Sequence, residues 1–396
     1  MKKSFLALAV AALAATSIAS IASTASATTV YDKDGTSLSV FGRVQTVFYS
    51  DKASGVSGEE STIKASARLG VDLRSQITSG IAAFARAEWE GANSEGRADS
   101  EGGDHFSTRY LWVGLDFGQF GSLKVGKFEP AIKYAISQTD IYDDWGCSGL
   151  LGNDDKREGV VQYQWSGYGF DAIASYVFAK DGEHVEGAYY KGETVDMKST
   201  VSLAVGYTTP DVVFGPIAVR AGYEHGNFND GVGSKNSFAV EYEVGKTVTL
   251  AYDDYDAFAV GVSWGSLDLG PYVAAVYQQR EFSSTYVSGA PEVSPDQKIS
   301  GYEFAVGYSF ANGVTARAGY NSKTIEVDGG DDVDAATVPV YVNWQLNPQF
   351  NVWAEARFDA STDDSDTNGK NFDVASVGCE KGYGENVYSA GMRYVF

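Results

Sequence analysis

Ala65-Ser66-Ala67-Arg68-Leu69-Gly70-Val71-Asp72-Leu73-Arg74-Ser75-Gln76-Ile77 alternates apolar and polar side chains. Laid out as an extended chain, Ala67, Leu69, Val71, Leu73 and Ile77 fall on one face. Ser66, Arg68, Asp72, Arg74 and Gln76 fall on the other. A period of two is the signature of a β-strand with two different environments. The apolar face suits a core or lipid. The second face sets two arginines and an aspartate in line, which suits a polar lumen. Thr78-Ser79-Gly80 then makes a tight turn, and Ile81–Glu90 repeats the pattern, with Ala83, Ala85, Ala87 and Trp89 against Phe84, Arg86, Glu88 and Glu90. Beyond it lies a long acidic segment, 91–106. A short turn at one end and a long loop at the other is the asymmetry of a transmembrane barrel.

The rhythm continues in both directions. About sixteen strands are predicted between 36 and 396, an even number within the range for bacterial barrels. The turns near 166, 266, 311 and 347 are very short, whereas 179–199, 226–255 and 359–385 are long and polar. Ser237–Tyr252 has strand character and is assigned to an extended loop, with a hairpin of its own as the alternative. No linker divides the chain, so 28–396 reads as one all-β, antiparallel barrel domain.

The first 27 residues read as a cleaved secretory signal. Lys2 and Lys3 form a positive start, an apolar run follows, and Ala25-Ser26-Ala27 supplies the small residues of a cleavage site. Past it, no stretch approaches the roughly 20 apolar residues of a spanning helix. In lipid, only helices and closed barrels satisfy every backbone polar group.

The chain carries 30 Lys and Arg against 52 Asp and Glu, a net charge of −22. Without Lys2 and Lys3 the balance is 28 against 52. That excess argues against nucleic-acid binding. It suits a cation-favouring pore or a lipopolysaccharide surface crosslinked by divalent cations. Hydrophobic residues make up only 44%, as expected when half of each strand faces water. Cys147 and Cys379 are the only cysteines, an even pair and a candidate disulfide in an oxidising export compartment.

The chain ends Ser389-Ala390-Gly391-Met392-Arg393-Tyr394-Val395-Phe396. Gly391, Tyr394 and the terminal Phe396 resemble the recognition signal for the outer-membrane assembly machinery. Tyr394 and Phe396 also suit an interfacial aromatic girdle.

Over essentially its whole mature length the sequence resembles the general trimeric porins of Gram-negative outer membranes. Tyr31-Asp32-Lys33-Asp34-Gly35, Phe41-Gly42-Arg43, Ala67-Arg68-Leu69-Gly70, Asn93-Ser94-Glu95-Gly96 and Gly121-Ser122-Leu123-Lys124-Val125-Gly126-Lys127 carry the likeness. The resemblance implies a homotrimer and a third loop folded into the barrel, whose acids face basic residues on the wall. The family's Thr-Asp-x-x-Pro-Glu-Phe-Gly-Gly motif corresponds to Thr139 through Cys147, with Asp140 and Asp144 matching its acids. This chain departs from it at Asp143 and Cys147. Arg43, Arg68 and Lys127 match wall basics, and Arg157 a fourth with spacing one residue short. Opposed rings of charge across water set ion preference. Asp143 adds to a cation preference, and Lys133 opposes it. A Cys147–Cys379 bond would pin the loop to the barrel mouth.

An enzyme reading needs a histidine placed with serine or carboxylates. His105, His184 and His225 fall in or beside loops with no such setting. A sugar-specific channel would need an aromatic slide, which Tyr142 and Trp145 could begin. A structural adhesion barrel is the third class. Asp364-x-Asp366-x-Asn368-Gly369 resembles the start of a calcium loop, but position twelve is Ala375 and the segment reads as a solvated acidic loop. No cofactor is expected.

Overall fold

The structure, a computed structural model, describes residues 27–54, 60–92, 105–146, 149, 156–187, 194–229, 236–243, 246–288, 296–327, 333–361 and 385–396. The signal segment up to residue 26, Cys147, Cys379 and the candidate calcium loop lie outside the described residues.

A short strand, β1 (Thr28–Lys33), opens the fold. The wall begins with β2 (Thr36–Tyr49), β3 (Thr62–Thr78), β4 (Ile81–Ala92) and β5 (His105–Asp116). It continues through β6 (Ser122–Phe128), β7 (Arg157–Gly167), β8 (Phe170–His184), β9 (Thr194–Thr208) and β10 (Ile217–Phe228). After a short β11 (Ser237–Glu243) come β12 (Lys246–Gly265), β13 (Gly270–Ser288) and β14 (Gln297–Ser309). The last four strands are β15 (Val314–Val327), β16 (Val333–Asn347), β17 (Phe350–Asp359) and β18 (Val387–Val395).

Strands pair antiparallel with their sequence neighbours, except that β10 passes over β11 to pair with β12, and β18 returns to β2 with Ser389 opposite Tyr49 and Val395 opposite Arg43. β1 pairs on β2 alongside this closure, and β11 makes a hairpin with the outer part of β12. With those two set aside, sixteen strands form a closed barrel. Closure removes every sheet edge, the condition for a sheet to cross lipid. The seam is completed at the last residue, where Gly42 and Phe396 exchange backbone hydrogen bonds of 2.9 and 3.0 Å.

The alternation reads as expected. Leu69, Val113, Phe178, Val205, Val260, Phe304, Val342 and Met392 are all exposed, on strands all round the barrel. So continuous an apolar surface marks lipid contact. The segment assigned to an extended loop is different in kind. Residues 237–243 form β11 and 246–252 the outer end of β12, the hairpin that stood as the alternative, and β12 begins at Lys246 and not at the 255 expected. Cross-strand pairing of β12 with β13, from Thr249–Ser288 down to Gly265–Tyr272, carries the sheet on past the wall.

Candidate functional site

The loop between β6 and β7 turns into the barrel and lies along its inner wall. Its first backbone amides are taken by inward serines: Ala131 N–H donates to Ser175 Oγ (2.9 Å) and Ile132 N–H to Ser202 Oγ (2.8 Å). A single helical turn follows, α1 (Lys133–Ile136), with Ala135 and Ile136 buried. Gln138 then bridges strands. Its side-chain amide donates to Ala218 O (3.1 Å) and Ser263 Oγ (2.8 Å), and its backbone carbonyl accepts from Tyr272 O–H (2.7 Å). Further on, Arg317 donates to Ile141 O. At the tip, the N–H groups of Asp143, Asp144 and Trp145 all donate to the Glu355 carboxylate, at 3.1, 3.0 and 2.9 Å. The anchors run in order from β8 to β17, so the loop follows the wall.

Glycines make room for this path. A Cβ on Gly222 of β10 would lie 3.2 Å from Ile132 Cα, and one on Gly261 of β12 would lie 2.8 Å from Ala135 O. Gly206, Gly301 and Gly319 likewise face Tyr134, Gly149 and Tyr142. Gly261→Val pushes against loop backbone, which cannot rotate aside. Overpacking of this kind costs about 1–3 kcal/mol. We expect the loop to be displaced toward the lumen and single-channel conductance to fall; an unaltered conductance would contradict the close approach.

The three loop acids have different surroundings. Asp140 keeps 30% side-chain exposure and pairs with Lys133 at 3.3 Å. Asp143 receives Arg393 at 2.5 Å and Tyr341 O–H at 2.7 Å. Burial opposes its ionisation, but Arg393 beside it holds the carboxyl below its usual range. Among the described residues, no cation contacts Asp144. It accepts from Tyr49 O–H (2.8 Å), Trp353 Nε1 (3.0 Å) and Ser389 Oγ (2.5 Å), and burial pushes its carboxyl up.

The basic residues divide too. Arg43 and Arg68 stand opposite each other across β2 and β3 on the inner face. Arg68 donates to Glu90 (2.8 Å), and Arg109 bridges Glu88 (3.0 Å) and Glu90 (2.9 Å). Arg86 grips Asp72 with two bonds of 2.7 and 2.8 Å, both side chains about a third exposed. Arg43 lies close enough to feel Arg68, Arg393, Asp143 and Glu90.

Lys127 is not on this inner wall. It pairs in register with Leu111, an exposed outward residue, and binds Glu158 at 3.3 Å, which binds Lys180 at 2.7 Å. The inward lysine of β6 is Lys124, set over the rings of Trp112 and Phe128 at 5.5 and 4.0 Å. Arg157 is inside but 1% exposed, clamped to Glu224 at 3.1 Å and to Tyr255 O–H at 2.9 Å. Its charge is spent on a buried pair away from the tip. Sequence reasoning missed Arg86, Arg109 and Arg393 as wall residues; Arg86 and Arg393 lie on the polar face of their alternating strands, whereas Arg109 shares the parity of the outward Leu111 and Val113 and is turned inward by a β-bulge opposite Glu88 and Trp89.

Tyr142 and Trp145 do not begin an aromatic slide. Trp145 is 5% exposed, edge-on to Tyr49 and under Arg357, and Tyr142 packs at right angles on Tyr341. Both serve the docking of the tip. His225 contacts Asp256 at 2.9 Å, and Tyr223 O–H reaches the same carboxylate at 2.5 Å.

The description Gram-negative porin matches residues 8–364. The outer membrane porin PhoE of Enterobacter cloacae is 25% identical over 386 residues, covering 96% of this chain and 99% of that protein. The outer membrane porin protein OmpD of Citrobacter koseri is 24% identical over 405 residues, covering both chains fully. Among solved structures, Salmonella typhi OmpF in complex with daunomycin shares the fold, with a TM-score of 0.69 at 18% identity, covering 93% of this chain and all of that one. A match of that extent makes the conclusion direct: the chain belongs to the Gram-negative porin family and is an outer-membrane diffusion porin.

Proposed function

We propose that small hydrophilic solutes and ions pass along the inner face of β2–β6, with a preference for cations, and that the working unit is a homotrimer in lipopolysaccharide-bearing membrane. One observation carries the route. From Ala131 onward the third loop is anchored on β8–β18, with Tyr49 of β2 joining only at the tip, which leaves the polar face bearing Arg68, Asp72 and Arg86 open to water.

Asp140, Asp143 and Asp144 remain the constriction acids of this reading, facing Arg43 and Arg68. Asp143 is offset by Arg393, and no cation among the described residues contacts Asp144. The cation preference therefore rests mainly on the acidic excess of the whole chain, −22, with Asp140 as the local contributor. A preference of that origin acts through solvent and is screened by salt: the Debye length is about 10 Å at 0.1 M and 3 Å at 1 M. Reversal potentials across a salt gradient should show cation preference at 0.1 M that shrinks at 1 M. Anion preference at both salts would mean that Arg43, Arg68 and Arg393 dominate.

A sugar-specific channel is the second reading. Liposome swelling that singles out one sugar among others of equal size would favour it, and a dependence on size alone supports general diffusion. Light scattering in detergent should give three chains per particle; a single chain would remove the trimer.

A further inference from the structure

Inward residues of a water-filled barrel are polar, yet much of this lumen is not. Above α1, the inner faces of β9–β16 carry Phe228, Tyr252, Tyr255, Phe282, Ile299 and Ile325, each 3% exposed or less. They form one buried cluster with Ile132 and Ile136 of the third loop. Their rings interlock, with Phe228, Tyr252, Tyr255 and Phe282 centred 5.3–6.3 Å apart. The cluster is tall as well as wide. From Gly222, which faces Ile132, up to Phe228, the strand climbs roughly 20 Å. Packing against the third loop alone does not account for it.

What covers its top is the start of the segment that joins β8 to β9. Val185 is fully buried in the cluster. The next residues reach strands far from their own. Arg280 of β13 donates to Glu186 O at 2.6 Å, and Gln297 of β14 donates to Gly187 O at 3.0 Å. Lys323 of β15, 2% exposed, pairs with the Glu186 carboxylate at 3.5 Å. Along the sheet, β9 and β15 stand five places apart, roughly 24 Å at the usual strand spacing. A segment rooted on β8 that binds β13, β14 and β15 must cut across the lumen. A buried network beneath it, Arg157–Glu224–Tyr255 with Arg280 4.0 Å from Glu224, sets opposite charges against one another in this interior.

We propose that residues 185–187 form a second inward constriction, which with the apolar cluster below seals the β9–β16 half of the lumen. Solutes are then confined to the β2–β6 side, and the size limit is set jointly by this strap and the third loop. The proposal rests on the diffusion reading above, but its test does not.

The test is accessibility to a thiol reagent, in full-length protein with Cys147→Ser and Cys379→Ser as background. Ser66→Cys lies on the inner face of β3, beside Arg68. Ala257→Cys lies inside the cluster at 1% exposure. A cationic, membrane-impermeant methanethiosulfonate should modify Ser66→Cys readily and Ala257→Cys at least about 100-fold more slowly, since the latter needs local opening. Adding Lys323→Met and Gln297→Leu, which remove two of the strap's anchors, should speed labelling at Ala257→Cys at least about tenfold and raise single-channel conductance. Heat-modifiable gel migration checks that each variant is folded. Should the anchor variant fail to fold, the labelling contrast in the otherwise intact barrel still decides. Equal labelling at the two positions overturns the dry half. Unchanged labelling and conductance in the folded anchor variant overturns the strap. A barrel that keeps the labelling contrast but conducts nothing would instead defeat the diffusion reading.

Discussion

Replacing Glu355 by alanine is expected to free the tip of the third loop and turn a steady pore into a fluctuating one. A single carboxylate there accepts from three consecutive backbone N–H groups, those of Asp143, Asp144 and Trp145. Hydrogen bonds to a charged group contribute about 1.5–3 kcal/mol each, and the donors stranded by the change are desolvated. Even with strong non-additivity, docking of the tip should weaken by about 3–5 kcal/mol, a factor on the order of 10² or more in the docked population. Single-channel traces should show frequent transitions between conductance levels, and the loop should become sensitive to added protease. Glu355→Gln, which keeps one acceptor oxygen, should fall between wild type and alanine. A Glu355→Ala channel as quiet as wild type would show that the side-chain contacts of Asp143 and Asp144 hold the tip unaided.

The second large effect separates two arginines that the sequence presents as equivalents. Arg157→Gln removes the cation from a pair in which both members are almost wholly buried. Among the described cations Glu224 would then keep only Arg280, 4.0 Å away, and removing one partner of a buried pair costs about 3–5 kcal/mol. The temperature of the heat-modifiable gel transition should fall markedly, and ion preference should hold. Arg43→Gln should do the reverse. Arg43 is half-buried on the open inner face between Arg68 and Arg393. Its loss relieves like-charge repulsion, leaves stability nearly unchanged and moves the reversal potential toward cations. Parallel effects of the two substitutions would contradict the assignment of Arg157 to a structural pair.

Much of the barrel was legible because its physics is local. Lipid on one side and polar surroundings on the other force an alternation that each strand carries within itself, as Ala65–Ile77 does. The hairpin turns are equally local. The register of β12 was less legible: Asp253, Asp254 and Asp256 look like a loop, yet pairing with β13 holds 249–265 in a strand. The wall basics show the same limit. Lys127 and Lys124 are three apart on β6, so they lie on opposite faces, and Gly126 opens a register shift toward β7. Resemblance selected Lys127, while the fold turns Lys124 inward.

Local pattern was enough to specify the antiparallel barrel, a wall of about sixteen strands, its two faces and an acidic segment between β6 and β7. These follow from period, turn chemistry and the need to satisfy backbone groups in lipid. Which charges stay exposed to the pore is set instead by contacts between distant parts of the chain. Asp143 and Arg393 are 250 residues apart and meet at 2.5 Å, Glu355 reaches the tip from a distant strand, and Glu186 meets Lys323 across the lumen. Such contacts depend on which strands closure places face to face, and on where inward glycines let a loop lie down. Neither is written in any local pattern, because the energy of a charge depends on what surrounds it in space.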